Sequence, residues 1–309
     1  MLSPGVTAVG VIGAGAVGQA VGAALVSAGL AGRLLLASRS VDRAAALADD
    51  LNDMGVGLGS PVRSSPVEVR QLRSCPAVVV AVRARFTNTR STDVRMAGMH
   101  ANAPALLALA EEFRGYPGTL LVVTNPVDIM TRLVAEASGN ARVFGLGSSL
   151  DTTRYRLTLA RLLDVPVDAV RGHVIGEHGD GAVVCASSTT VNGAPAPVPL
   201  ERVRAELAGR PGRIGAGIGR TRYGPAGALV TALRLTLGME DGITELSAPH
   251  GGVCLGIPLQ FTRGRPLPCV PALDDTEARQ WEAAQSKLRA AYEGARGIPI
   301  QPLPPGRNT

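Results

Sequence analysis

In TAVGVIGAGAVG, residues 7–18, a short apolar run leads directly into a Gly-x-Gly-x-x-Gly turn. A helix-like segment follows and ends before Gly29, and a second apolar run occupies residues 34–37. This order of strand, tight turn, helix and strand is that of a βαβ unit. The sequence therefore predicts a parallel sheet whose first crossover is a helix.

Each glycine of the turn has a mechanical role in binding a pyrophosphate. Gly13 permits the tight turn, Gly15 lets the backbone approach the phosphates, and Gly18 lets helix and strand pack closely. Ala16 and Val17 open the helix, whose N–H groups and partial positive charge favour an anion. We expect these five residues to bind a dinucleotide, and a glycine turn without a ligand is the alternative.

The residues after the second apolar run bear on the choice of cofactor. Where an acidic residue would hold the ribose 2′-hydroxyl of NAD, the chain has Ser38, Arg39 and Ser40, with Arg43 one helical turn later. Serine hydrogen-bonds a 2′-phosphate and arginine pairs with it. The pattern favours NADP(H) over NAD(H). The alternative is that Arg39 and Arg43 are solvated surface charges.

The rest of the chain indicates two units. Further buried-strand candidates lie at residues 77–82 and 120–124, which predicts an α/β protein with a Rossmann-type, doubly wound parallel sheet. Shorter strands and helices follow and predict a second, α+β substrate domain. We place a dinucleotide-binding domain at residues 1–146 and a catalytic domain at residues 147–309. Its proline-rich tail, residues 297–309, is expected to be disordered or to lie on the surface.

Composition bounds the class of protein and its partners. Of 309 residues, 46% are hydrophobic and 18% are charged, which is typical of a globular protein. The net charge of +6 comes from scattered arginines, with Lys287 the only lysine, so we expect anionic small molecules and no nucleic acid as partners. Glycines interrupt the apolar N-terminal region, so we expect neither a signal peptide nor a membrane span. Four widely spaced cysteines predict reduced thiols in a cytoplasmic protein.

The run VIGEHGD, residues 174–180, places His178 in a glycine-flanked turn after an apolar segment. A histidine in such a turn can present its ring to a cleft, although an ordinary loop histidine is commoner. Asp151 and Arg154 lie upstream, one helical turn apart, and Asn125 ends an apolar strand where ligands bind. Together with the glycine turn, these residues predict a hydride-transfer site. Each residue also has a structural alternative. Asp151 could cap a helix, Arg154 could form a surface salt bridge, and Asn125 could form a turn.

Four stretches, in this order, carry a resemblance to a known family: TNPVD at 124–128, GSSLDTTR at 147–154, GEHGD at 176–180 and TRYG at 221–224. On these motifs, nearly the whole chain resembles the lactate/malate dehydrogenase family. The TNPVD and GEHGD forms are more similar to its lactate dehydrogenase-like branch. The resemblance implies a homodimer or a homotetramer.

The resemblance also implies a role for each matching residue. His178 is the expected proton donor and acceptor, and Asp151 holds its ring and favours its charged form. Arg154 is expected to grip the substrate carboxylate with its planar guanidinium. Asn125 is expected to contact the nicotinamide side of the site, and Thr221 to lie close to substrate and cofactor.

The segment before Asn102 departs from the family pattern. The family's mobile loop ends with an arginine seven residues before an asparagine, which makes Arg95 the expected group that polarises the substrate carbonyl. Thr89 lies six residues before Arg95, at the position that distinguishes lactate-type from malate-type substrates in the family. A neutral residue there disfavours a substrate with a second carboxylate. A one-residue shift puts Arg90 there instead and favours a dicarboxylate. The loop arginines also suit a phosphorylated or phosphonylated keto acid, and a solvated loop is the alternative.

These inferences combine into one predicted activity. We expect reversible hydride transfer by an NADP(H)-dependent 2-keto acid reductase, equivalently a 2-hydroxy acid dehydrogenase, acting on a specialised small-molecule substrate. The four histidines lack metal-ligand spacing, so no metal is expected. The alternatives are an NAD-dependent malate dehydrogenase with an unusual loop and a non-catalytic, cofactor-binding homologue.

Overall fold

The computed structural model describes residues 6–90 and 92–298, which form eight α-helices and fourteen β-strands. The helices are α1 (Ala16–Ala28), α2 (Val41–Leu58), α3 (Met99–Glu112), α4 (Val127–Ser138), α5 (Ser148–Leu163), α6 (Leu200–Ile218), α7 (Tyr223–Thr236) and α8 (Asp275–Arg296). The strands are β1 (Val6–Ile12), β2 (Ala31–Ala37), β3 (Arg63–Pro66), β4 (Ala77–Val80), β5 (Thr119–Val122), β6 (Val143–Gly145), β7 (Val170–Arg171), β8 (Val174–Gly176), β9 (Ala182–Val184), β10 (Thr190–Val191), β11 (Ala194–Pro195), β12 (Gly242–His250), β13 (Val253–Thr262) and β14 (Arg265–Pro268). The expected proline-rich tail lies outside the described residues from position 299 onward.

Six parallel strands form the first part of the main sheet, in the order β3-β2-β1-β4-β5-β6. Helical crossovers connect consecutive strands, beginning with β1-α1-β2. Every residue of β4 and β5 is buried, as expected for central strands covered on both faces. This arrangement confirms the predicted α/β class and the Rossmann-type sheet.

The sheet continues with antiparallel strands beyond β6. Ser247 of β12 pairs with Gly145 of β6, and the order then runs β12-β13-β8-β9, with β14 on β13. A separate small sheet has the order β11-β10-β7. Parallel pairing therefore ends one residue before the boundary expected at residue 146. The division into two domains stays a prediction.

Local sequence explains where several elements begin and end. Helix α1 ends at Ala28 as predicted, because Gly29 adopts a left-handed φ of 58° and its N–H closes the last turn. Helix α5 begins at Ser148 and ends at Leu163, where Asp164 adopts a left-handed φ of 54°. Helix α6 was not predicted, since Pro211 and several glycines interrupt its pattern. Neither α6 nor any other helix of the described residues combines the length and apolar character of a membrane span.

Candidate active site

A buried histidine–carboxylate pair lies where α5 meets the loop after β8. Nδ1 of His178 is 2.5 Å from Oδ2 of Asp151. Each of these residues is only 7% exposed, so the pair is largely removed from water. Because Nδ1 is engaged with the carboxylate, Nε2 is the ring nitrogen left to exchange a proton.

Two neighbours hold His178 in place. Asp128, in the first turn of α4, accepts the backbone N–H of His178 at 2.8 Å through Oδ2. Gly147, which precedes α5, leaves room for the ring: a Cβ at this position would lie 2.5 Å from Cγ of His178 and 2.9 Å from Cγ1 of Val127. The histidine therefore occupies space that a side chain at position 147 would fill.

Arg154 lies beside this pair, one turn after Asp151 on α5. It is 4% exposed, its Nη1 is 3.6 Å from Oδ1 of Asp151, and its Nη2 donates to Oγ1 of Thr221 at 3.5 Å. The structure thus brings Asp151, Arg154, His178 and Thr221 into one cluster. Asp151 is shared with His178, so the guanidinium keeps donors for the carboxylate of a ligand.

The charge of Arg95 also acts on the cluster. Arg95 lies on a short 3-10 helix, Val94–Gly98, ahead of α3. Burial raises the pKa of Asp151, but the charges of His178, Arg95 and Arg154 outweigh it and hold that pKa below its usual range. Burial lowers the pKa of His178, and Arg95 and Arg154 lower it further against the attraction of Asp151. Near neutral pH, the ligand-free site therefore holds a neutral imidazole beside an ionised carboxylate.

Asn125 sits at the carboxyl end of the parallel sheet, three residues after β5. Its backbone oxygen accepts a hydrogen bond from Nδ2 of Asn102 at 2.8 Å, and Oδ1 of Asn102 accepts the N–H of Ala84 at 2.8 Å. Asn102 therefore ties the start of the loop before Arg95 to Asn125. Oδ1 of Asn125 is buried and lacks a partner within the described part of the chain, which suits a donor from a bound cofactor.

The glycine turn has the shape that a pyrophosphate needs. Gly13 has a φ of 118°, and a Cβ there would lie 2.5 Å from a backbone oxygen just after β4. A Cβ on Gly18 would lie 1.7 Å from the oxygen of Gly13, whereas a Cβ on Gly15 would meet nothing within 4 Å. The open space beside Gly15 adjoins the first residues of α1, Ala16 and Val17. These residues fit a dinucleotide cofactor.

The four residues expected to hold a 2′-phosphate follow β2. Ser38 and Ser40 are half-buried, and Arg39 and Arg43 are exposed. Oγ of Ser40 accepts the N–H of Arg43 at 3.2 Å and caps the N-terminus of α2. Arg43 also lines a cleft of about 510 Å³ between α1 and α2. Arg39 and Arg43 therefore lie on either side of the residue that caps α2.

Thr89 and Arg90 lie on an exposed part of the loop between β4 and the short helix that carries Arg95. Oδ1 of Asn88 accepts the N–H of Arg90 at 3.1 Å. Within the described residues, no hydrogen bond or ion pair joins Thr89 or Arg90 to the His178 cluster. Their role in substrate choice stays a prediction. Closer to β4, the guanidinium of Arg83 stacks 4.4 Å from the ring centre of Phe86.

The sequence patterns did not assign a role to Asp128 or Arg210. Asp128 lies in the TNPVD stretch that carried the resemblance, and burial raises its pKa to about 7. Arg210 lies on α6 and adds to the effects, led by burial, that lower the pKa of Arg154. Because Pro211 and several glycines kept α6 from being predicted, no sequence signal pointed to Arg210. In the described ranges, no group of three or more His, Cys, Asp or Glu residues is placed to hold a metal ion.

With the geometry established, comparison with known proteins gives a consistent result. The family model described as lactate/malate dehydrogenase, NAD binding domain, matches residues 7–145. L-lactate dehydrogenase of Lactobacillus delbrueckii subsp. bulgaricus is 32% identical over 303 residues, which cover 91% of this chain and 97% of that protein. The chain belongs to the lactate/malate dehydrogenase family. This confirms the resemblance that the four motifs indicated.

Other members of the family match over different extents. L-lactate dehydrogenase 2 of Lactococcus lactis subsp. lactis is 34% identical over 189 residues, which are 60% of this chain. That match spans 59% of the length of the Lactococcus protein. The crystal structure of the minor L-lactate dehydrogenase from Enterococcus mundtii superimposes with a TM-score of 0.88 at 24% identity, covering 95% of this chain and 99% of the other. At this identity, the superposition shows a shared fold.

Proposed function

We propose that this protein is a 2-hydroxy acid dehydrogenase that transfers a hydride reversibly between a nicotinamide cofactor and a 2-keto acid. The observation that carries the proposal is the buried cluster of His178, Asp151 and Arg154. Each of these side chains has one chemical task in such a reaction. Family membership supports the same reaction class.

Each residue of the cluster has a separate role in the proposed reaction. Arg154 binds the substrate carboxylate, and Arg95 places positive charge near the substrate oxygen. In reduction, Nε2 of His178 gives its proton to that oxygen, while Asp151 stabilises the imidazolium that precedes the transfer. When bound, the cofactor supplies the hydride for reduction and accepts it in oxidation. In oxidation, His178 takes the proton from the substrate hydroxyl.

Binding of the substrate should also raise the pKa of His178, which favours reduction. In the ligand-free site, Arg95 and Arg154 both disfavour protonated His178. A substrate carboxylate beside Arg154 offsets one of these charges. Substrate binding therefore favours the protonated ring that reduction needs.

We propose NADP(H) as the preferred cofactor, supported by Arg39 and Arg43 and by the serines beside them. The variant Arg39→Ala/Arg43→Ala should raise the KM for NADPH about 10- to 100-fold, because two charge-assisted contacts with a phosphate are lost. The KM for NADH should change little, since NADH lacks the phosphate. Equal changes for both cofactors would contradict the assignment.

We propose a specialised 2-keto acid as substrate, supported by residues Val82–Phe86, which stand after β4 where the family usually has a different, glycine-containing turn, and by the arginines of the following loop. The test is oxidation of NADPH and NADH with pyruvate, oxaloacetate, branched and aromatic keto acids, and phosphonopyruvate. Highest kcat/KM with pyruvate or oxaloacetate would overturn the specialised substrate. No turnover despite cofactor binding would indicate a non-catalytic homologue.

The predicted assembly also belongs to the proposal. We propose a homodimer or homotetramer, supported by exposed apolar side chains on α2 and at the start of α7: Val56 is 75% exposed, Leu58 58% and Tyr223 67%. Light scattering coupled to gel filtration tests this assembly, and a monomer would contradict it. We further propose two domains meeting near residue 146 and, from the free cysteines, a cytoplasmic location.

A further inference from the structure

The only lysine of the chain links two carboxylates from different segments. Nζ of Lys287, on α8, donates to Oδ1 of Asp93 and, at 2.8 Å, to Oε2 of Glu177. A third contact lies beside these two, because Oδ2 of Asp180 accepts the backbone N–H of Asp93 at 2.9 Å. One cation therefore joins three parts of the molecule.

The two carboxylates belong to the segments that carry Arg95 and His178. Asp93 immediately precedes the short helix that contains Arg95, and it has a left-handed φ of 47°. Glu177 immediately precedes His178 in the chain. The Lys287 ammonium thus lies between the segment of the substrate-polarising arginine and the loop of the proton donor.

The Glu177 half of this contact is built into the loop. The Glu177 side chain is 3% exposed, and its Oε2 accepts the N–H of Gly181 at 2.8 Å. A Cβ on Gly179 would lie 2.6 Å from Oε1, and one on Gly181 would lie 2.5 Å from Oε2. The carboxylate fills the space that these glycines leave, so its charge needs Lys287 as a fixed partner.

The Asp93 half is more accessible. The Asp93 side chain is 33% exposed and the Lys287 side chain 31%, and residues 83–90, earlier in the same segment, belong to no helix or strand. Burial works to lower the pKa of Lys287, but hydrogen bonds to Asp93 and Glu177 outweigh it and raise that pKa. The ammonium therefore stays charged near neutral pH and attracts both carboxylates.

We propose that Lys287 is a positioning residue that fastens the Arg95 segment to the His178 loop by holding Asp93 and Glu177 together. It touches neither substrate nor cofactor and acts through Arg95. The inference rests on the proposed function only in that Arg95 and His178 serve the same substrate. The contact itself can be tested without turnover.

The first test observes the contact directly. Because the chain has one lysine, protein labelled with 13Cε,15Nζ-lysine gives a single side-chain signal, whose titration reports the pKa of Lys287. Asp93→Asn keeps the size of the side chain and tolerates the left-handed backbone, but it removes the charge. We expect this variant to lower the pKa of Lys287. Asp53→Asn, which removes an exposed charge on α2, is the matched control and should leave the signal unchanged.

The second test measures what the contact does. Asp93→Asn should lower kcat/KM for the best keto acid about tenfold, with the Kd for NADPH unchanged. In an Arg95→Ala background, the same substitution should cause no further loss, because its effect passes through Arg95. Lys287→Gln leaves Glu177 without its cation and should cost more, whereas Lys287→Arg should restore most of the activity.

Three results would overturn the proposal: an unchanged Lys287 pKa in Asp93→Asn, an unchanged kcat/KM in that variant, or an equal loss with and without Arg95. If the wild-type protein turns over no keto acid, the proposed function fails. The lysine titration then still decides whether Lys287 holds Asp93.

Discussion

Replacing Gly147 by alanine should displace His178, the proposed proton donor, without removing any functional group. The new Cβ would lie 2.5 Å from Cγ of His178, whereas ordinary contact begins at 3.4 Å, so the ring must move by about 0.9 Å. Such a shift lengthens or rotates the 2.5 Å contact with Asp151. Misplacement of a catalytic group by about 1 Å costs on the order of 100-fold in rate.

Gly147→Ala should therefore lower kcat for keto acid reduction about 100-fold while cofactor binding stays unchanged. Gly227→Ala on α7 is the matched control, because a Cβ there meets nothing within 4 Å, and it should behave as wild type. Both variants are measured by steady-state kinetics, with thermal unfolding to confirm that each is folded. A folded Gly147→Ala protein with wild-type kcat would refute the argument that this glycine makes room for His178.

Three further predictions concern charges in the same cluster. Burial and two arginines lower the pKa of His178 below 6.5. As pH rises through that lowered pKa, kcat/KM for reduction should fall and kcat/KM for oxidation should rise. A midpoint above pH 6.5 in both directions would contradict this. Asp151→Asn cannot stabilise the imidazolium of His178, so kcat/KM for keto acid reduction at pH 7, measured by cofactor oxidation, should fall about 10- to 100-fold. A change of less than twofold would argue against this role of Asp151. The pKa of Asp128, about 7 in the fold against 3.8, means that the contribution of Asp128 to stability is fully present below pH 4. Up to about 4 kcal/mol of it is lost as pH rises from about 4 to about 7. Denaturation of wild type and Asp128→Asn at pH 4 and 8 tests this, and parallel changes in both proteins would count against it.

Much of the fold and part of the site could be predicted from sequence, because the signals are local. The turn at Gly13 follows a strand and opens a helix, and α1 ends at Ala28 because Gly29 follows it. Helix α6 could not be predicted, since its glycines and Pro211 have low helix propensity and Val203 is its only buried residue, so the helix lacks a clear apolar face. The hairpin of β12 and β13 was not predicted either, although its two-residue connection, Gly251 and Gly252, has positive φ at both positions, as tight hairpin turns require.

Local patterns were enough to predict the βαβ start, the α/β class and the residues of each motif, because hydrophobic period and glycine spacing are properties of neighbouring positions. Contacts between distant positions depend on the folded chain as a whole. The family resemblance already implied that Asp151 holds the ring of His178, 27 residues away, but no pattern indicated the bridge from Lys287 to Asp93, which joins positions 194 residues apart. Such contacts depend on how helices pack against the sheet, and no local pattern records that packing.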